Sequence, residues 1–145
     1  MTATKMDAVN ALKELRGFIG NSQLGAVAEG MRSEEKQYFF DKAVELAATV
    51  STMPKTYEQD GKGNQSIAYL HYFYGNMDWY ITEKDMGSAD DVEPGQHQAF
   101  GLADIGFGGE LGYISITELI ENGIELDFHF TPKTLEQIEA KRQEA

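Results

Sequence analysis

Along the first third of the chain, apolar residues recur every three or four positions; from about residue 67 they alternate with polar ones. The first pattern lets a helix bury one side, the second lets a strand bury one face. Thr4 is placed to cap a helix, with Asp7 near its positive end and Ala8, Leu12, Leu15 and Ile19 on one face, ended by Gly17 and Gly20. Residues 21–31 hold a short second helix interrupted by Gly25 and Gly30. Ser33 then opens the strongest helix, with Glu34 and Glu35 in its first turn. Phe39, Ala43, Leu46 and Val50 form its apolar stripe, and Pro54 stops it.

A polar, glycine-bearing loop over 57–65 separates these helices from the strands. Ile67 to Tyr74 is β-branched and aromatic, and Gly75-Asn76 has the order a type II′ hairpin turn wants. Met77 to Glu83 returns, with Met77, Trp79 and Ile81 on one face and Asp78, Tyr80 and Thr82 on the other. Residues 84–96 form an acidic loop. Strands follow over 98–105 and 111–114, joined by a glycine-rich turn. Ser115 to Glu118 is a capping box for a short helix that Gly123 ends. From 124 to 130 the chain alternates again, placing Ile124, Leu126, Phe128 and Phe130 inward and Glu125, Asp127 and His129 outward. Thr131-Pro132 then starts a C-terminal helix.

This order predicts one α+β domain over 1–145. Its helical part, 1–53, packs on an antiparallel β meander of about five strands, 57–132, with one short inserted helix; a C-terminal helix spans 132–145. Helices should cover one sheet face and leave the other at least partly solvated.

Charge sharpens this picture because of where it lies. Residues 1–56 hold seven basic and seven acidic side chains, and residues 133–145 hold three of each. Residues 57–132 hold fourteen acids and two bases, Lys62 and Lys84, so the whole formal charge of −12 sits in the meander. Nucleic acid and anionic membranes would be repelled, and a basic protein surface attracted. There is no cysteine, which removes thiol catalysis and thiolate metal sites and suits a reducing compartment. No apolar run is long enough for a membrane span, and the N-terminus lacks the apolar stretch of a secretory signal, so the cytoplasm is the expected site of action.

Candidate chemistry is sparse. Glu125, Asp127 and His129 form an i, i+2, i+4 row that could hold a divalent metal, but a straight row converges poorly on one ion. A metal-dependent hydrolase using Asp127 and His129 is therefore the alternative rather than the leading reading. His71 lies in a run that is apolar on both faces and reads as a hydrogen-bonded interior histidine. Gly106 to Gly112 lacks the lysine of a phosphate loop, and the 84–96 acids lack the spacing of an EF-hand. No cofactor is expected. Asp85, Asp90, Asp91 and Glu93 in the acidic loop, with the aromatic residues Trp79, Tyr80 and Tyr113, are the candidate protein-interaction residues.

A series of ordered blocks carries a further signal. These are Leu70-His-Tyr-Phe73, Asp78-Trp-Tyr-Ile-Thr-Glu83, Phe100-Gly-Leu-Ala-Asp104, Glu110-Leu-Gly-Tyr-Ile-Ser115, Glu118-Leu119 and Asp127-Phe-His-Phe-Thr-Pro132. Over about 53–135 the chain resembles domain-of-unknown-function family 2958, small accessory proteins of phages, plasmids and conjugative elements. His129 stands where that pattern often has tyrosine, which weakens a catalytic role for it. The resemblance implies a setting rather than an activity. Many small acidic proteins of mobile elements inhibit host defence, so the implied partner is a basic protein, such as a nucleic-acid-handling defence complex, met in a bacterial cytoplasm.

The charge distribution generates a first prediction. Anisotropy titration of labelled duplex DNA or single-stranded RNA with the protein, at physiological salt, should show no saturable binding in the micromolar range. A saturable micromolar curve would overturn the exclusion of nucleic acid.

Overall fold

A computed structural model describes residues 2–86 and 95–144. Helices α1 (Lys5–Leu15), α2 (Asn21–Gly30) and α3 (Lys36–Thr52) come first. Strands β1 (Ile67–Ala68), β2 (Leu70–Tyr74), β3 (Met77–Glu83), β4 (Ala99–Asp104) and β5 (Gly109–Ile114) follow. Helix α4 (Ile116–Glu121), strands β6 (Glu125–Leu126) and β7 (Lys133–Thr134), and helix α5 (Leu135–Glu144) complete the order. The expected α+β class is the observed one. The main sheet is antiparallel throughout, in the order β5-β4-β3-β2-β6, and β1 pairs with β7 beside it.

Local chemistry explains most of the boundaries. Thr4 and Asp7 form a reciprocal capping box on α1. Ser33 closes a turn through Glu35 N–H, so α3 begins three residues after it, at Lys36. The Gly75-Asn76 hairpin forms as expected, with Tyr74 opposite Met77 and Gly75 at φ +58°. The C-terminal helix begins later than Thr131-Pro132. Residues 133–134 first pair with β1, and then Thr134 and Gln137 exchange hydrogen bonds as the capping box of α5.

One sheet face carries the main core. Leu70, Tyr72, Trp79, Ile81, Ala99, Ile114 and Leu126 pack against Ala8, Ala11 and Leu15 of α1 and Phe40, Ala43, Leu46 and Val50 of α3. Tyr72 is fully buried there, and its hydroxyl donates to the Phe18 carbonyl. Burial pushes its pKa up. The side-chain amide of Gln23 closes the β6 edge: Nε2 donates to Leu126 O at 2.8 Å and Oε1 accepts from Leu126 N at 2.9 Å. The second face is covered only in part. A smaller cluster of Ala68, Tyr80 and Leu102 meets Leu135 and Ile138 of α5.

The β3–β4 contact is tight at Gly101, where an added Cβ would lie 1.9 Å from the Tyr80 carbonyl oxygen. Gly112, one strand over, has open space around it. Gly101→Ala should therefore cost about 2 kcal/mol or more. Gly112→Ala should stay within about 0.5 kcal/mol. Equal denaturant midpoints for the two variants would show that the β3–β4 spacing does not depend on Gly101.

Candidate functional site

Strand alternation would put Glu83 on the helix-covered face, two residues after Ile81. The ladder prevents this. Ile81 stands opposite Gly101 but Glu83 stands opposite Phe100, so one residue is inserted as a β-bulge. The insertion turns Glu83 onto the second face beside Thr82, where only 4 % of it is exposed. Its Oε1 accepts from Gln59 N at 3.3 Å and its Oε2 lies 2.9 Å from the Thr82 hydroxyl. Among the described residues it forms no ion pair.

The segment before β1 folds over this end of the sheet. Lys55 bridges to Lys84, and Thr56 N donates to the Lys84 carbonyl at 2.8 Å. The Gln59 amide exchanges hydrogen bonds with Ile67 and donates to the Thr82 carbonyl at 2.8 Å, fastening the loop to two strands. Tyr57 takes φ +79°, a left-handed conformation that costs a non-glycine residue about 1 kcal/mol. Its hydroxyl meets that of Tyr113 at 2.5 Å.

Loop and sheet enclose a cavity of about 380 Å³. Thr56, Gln59, Ser66, Thr82 and Glu83 all line it; of the buried polar residues described, only Asp104 lies elsewhere. Phe100, Leu111 and Leu135 supply apolar wall, and Asp60 a second carboxylate. None of the lining residues is basic. A buried carboxyl group with unused acceptor capacity, set among aromatic and aliphatic walls, is suited to holding a cationic donor.

The residues singled out from sequence are scattered. Trp79 is buried against the helices, while Tyr80 faces the other way and is buried under Phe130 and α5, so neither offers an open surface. Adjacent residues on one strand cannot share a face. Only Tyr113 of the three is exposed. Asp85 is half-buried, its Oδ2 accepting from Gln98 N. Asp90, Asp91 and Glu93 lie outside the described residues.

The Glu125, Asp127 and His129 row does not form either, because the expected strand 124–130 ends at Leu126. Asp127 accepts the His129 N–H at Oδ1, which bends the chain, and meets His71 Nδ1 at 3.0 Å through Oδ2. His129 is exposed. No group of three potential metal ligands converges among the described residues. His71 lies stacked on Tyr80 at 4.5 Å, and its Nε2 meets Asp78 at 2.7 Å. With both ring nitrogens held by carboxylates, it clasps β2, β3 and the 127–130 turn and has none left to work as a general base.

Glu83, Gln59 and Tyr57 were not among the residues picked out from sequence. One readable signal was an acid at the position that alternation assigns to the core, two residues after Ile81. Against known families, curated proteins and solved structures the chain finds no match. No helix among the described residues is long and apolar enough to cross a membrane.

The rim of the cavity has a titration signature. The hydrogen bond to Tyr57 chiefly, then desolvation and the nearby Asp60 charge, hold the Tyr113 hydroxyl above its ordinary pKa. With its folded pKa above the unfolded one, whatever Tyr113 contributes to stability is complete below the ordinary tyrosine pKa and is lost as pH rises through the folded value. In an ultraviolet difference titration Tyr113 should ionise late, as should the buried Tyr72 and Tyr80, and Tyr57→Phe should bring one of these late transitions earlier. An unchanged titration curve in that variant would dissolve the pair.

Proposed function

We propose that the chain is a non-enzymatic, acidic protein-binding module, acting on a basic partner through the second face of its sheet near β5. The observation that carries this reading is a run of exposed apolar residues along β5 and the turn before it, set in the acidic block. Ile105, Phe107, Leu111 and Tyr113 are all exposed, Phe107 at 93 %. Such patches on otherwise polar surfaces mark interaction sites. The β6 edge is closed by Gln23, whereas β5 pairs only with β4 among the described residues.

The electrostatics support the same reading. Of the two bases in the block, Lys84 turns inward and donates to the Val50 carbonyl at 2.7 Å, capping α3. That leaves Lys62 as the one base of 57–132 not spent in this way, against fourteen acids. The resemblance to accessory proteins of mobile elements supplies the setting: a bacterial cytoplasm, a nucleic-acid-handling defence complex as the partner, and the chain as its inhibitor, of the anti-CRISPR or antirestriction type. That setting belongs to the proposal and rests on the resemblance alone.

Immobilised protein should retain a basic partner from bacterial host lysate, identified by mass spectrometry. Retention should fall as the Debye length shrinks from about 10 Å at 0.1 M salt to about 3 Å at 1 M. Tyr113→Ala combined with Glu110→Lys, both at exposed positions, should abolish it while leaving the thermal transition in place. A partner held equally by this variant and at high salt would refute the reading.

A further inference from the structure

We infer that the Glu83 cavity is the receptor for an arginine side chain presented by the partner. This inference rests on the reading of the chain as a binder of a basic protein, and it says which group of that protein is read and where.

The argument begins with sign. The cavity lining includes two carboxylates, Glu83 and Asp60, and no Lys, Arg or His. The neighbouring groove on the same face contrasts with it: Lys133, Lys141 and Arg142 line that one beside Asp127. A cation is therefore favoured in the first and opposed in the second.

Hydrogen-bonding capacity narrows the ligand further. The Gln59 amide is spent on Ile67 and Thr82. The Thr56 hydroxyl is spent on the carbonyls of Lys84 and Gln98. Glu83 receives two contacts, and a carboxylate offers about four lone-pair sites. The Ser66 hydroxyl can donate or accept, while both carboxylates of the lining only accept, so the balance of the cavity favours a donating ligand.

Shape then separates the possible donors. About 380 Å³ is far more than an ammonium head requires, and the walls at Tyr57, Phe100, Leu111 and Leu135 are flat or aliphatic. A guanidinium is planar, stacks on aromatic rings, donates in a fork that matches a carboxylate, and is less strongly hydrated than an ammonium. Its three-carbon stem fits along Leu111 and Leu135. A divalent ion is commonly held by several carboxylates, and no group of three acidic or histidine ligands converges among the described residues. Leu111 belongs both to this cavity and to the exposed patch, so a partner lying on β5 would bring a side chain directly to the cavity mouth.

The test uses isotope-labelled protein and blocked Leu-Arg-Leu peptide, with citrulline and lysine in place of arginine as controls. Citrulline keeps the shape and removes the charge. Expected are saturable shifts of the backbone amides of Gln59, Glu83, Phe100 and Leu111 with the arginine peptide. Affinity should fall at least tenfold with citrulline, less with lysine, and at least tenfold in Glu83→Gln. If Glu83→Gln perturbs the fold, the arginine–citrulline comparison on the unaltered chain decides the matter. Equal shifts with citrulline, or none with arginine, overturn the inference. Free guanidines binding as tightly as the peptide overturn the partner as the source. A basic partner captured equally by Glu83→Gln and the parent chain removes the cavity's role and leaves the acidic module standing. Peptide binding without any basic partner in the capture experiment does the reverse.

Discussion

The bulge in β3 is the feature on which the second half of the molecule depends. β3 is the central strand of the five, so its geometry is inherited by both neighbours. Inserting one residue opposite Phe100 requires β4 to approach β3 closely at Gly101, where no side chain could fit. The same insertion takes a carboxyl group away from an apolar core and sets it on the opposite face. Burying such a group with only two hydrogen-bond contacts costs on the order of a few kcal/mol. The Gln59 loop limits that cost, because the residue that donates to Glu83 through its backbone also ties the loop to β1 and β3 through its side chain. Loop position, bulge and buried carboxyl are thus one arrangement, and Tyr57 carries its strained backbone within it.

A comparable economy runs through the rest of the sheet. Side-chain amides serve as strand rungs at two places, Gln23 beside Leu126 and Gln59 beside Ile67. Each satisfies backbone groups that an unpaired strand would leave to water or to another chain. His71 does similar work through its two ring nitrogens. Held between Asp78 and Asp127 and stacked on Tyr80, it fastens the end of β6 to the middle of the sheet. A carboxylate only accepts, so both contacts are hydrogen bonds together only when both ring nitrogens carry hydrogen.

Most of the architecture was legible in the sequence because it is set locally. Helical spacing, the Thr4 cap, the Gly75-Asn76 turn and the alternation in β3 each specify their element from within a few residues. Two readings failed where a side chain overrode the pattern. Alternation from 124 to 130 promised a strand, but Asp127 caught the His129 N–H and bent the chain. Thr131-Pro132 promised a helix start, but the Thr134–Gln137 capping box and the pairing with β1 moved it. The cavity was hidden for a different reason. Its key carboxylate faces the second side because of a bulge fixed across the ladder by Gly101, about twenty residues away, and its loop is held by hydrogen bonds between distant segments. Neither relation has a local signature. Grouping Trp79 with Tyr80 set the aromatic surface on two faces at once; the exposed apolar residues run instead along 105–113.

The distribution of bases explains why the acidity of this surface stays uncompensated. Lys84 caps α3 and its pKa is lowered, by desolvation first and Lys55 second. Arg142 bonds Asp104 and Glu139, and so neutralises the one buried acid among the described residues that lies outside the cavity. Lys133 sits 5.3 Å from the Phe130 ring centre. Lys84, Arg142 and Lys133 are therefore held by the fold itself, behind the sheet or at the C-terminal groove. The cavity at Glu83 and Asp60 draws on none of them. Surface acids elsewhere in the block are screened by salt within about 10 Å. Salt screens a carboxyl group 4 % exposed far less, so a cationic group that fits the space would interact with it more strongly than with the surface acids. Geometry, and not net charge alone, is what would let this acidic face tell one basic surface from another.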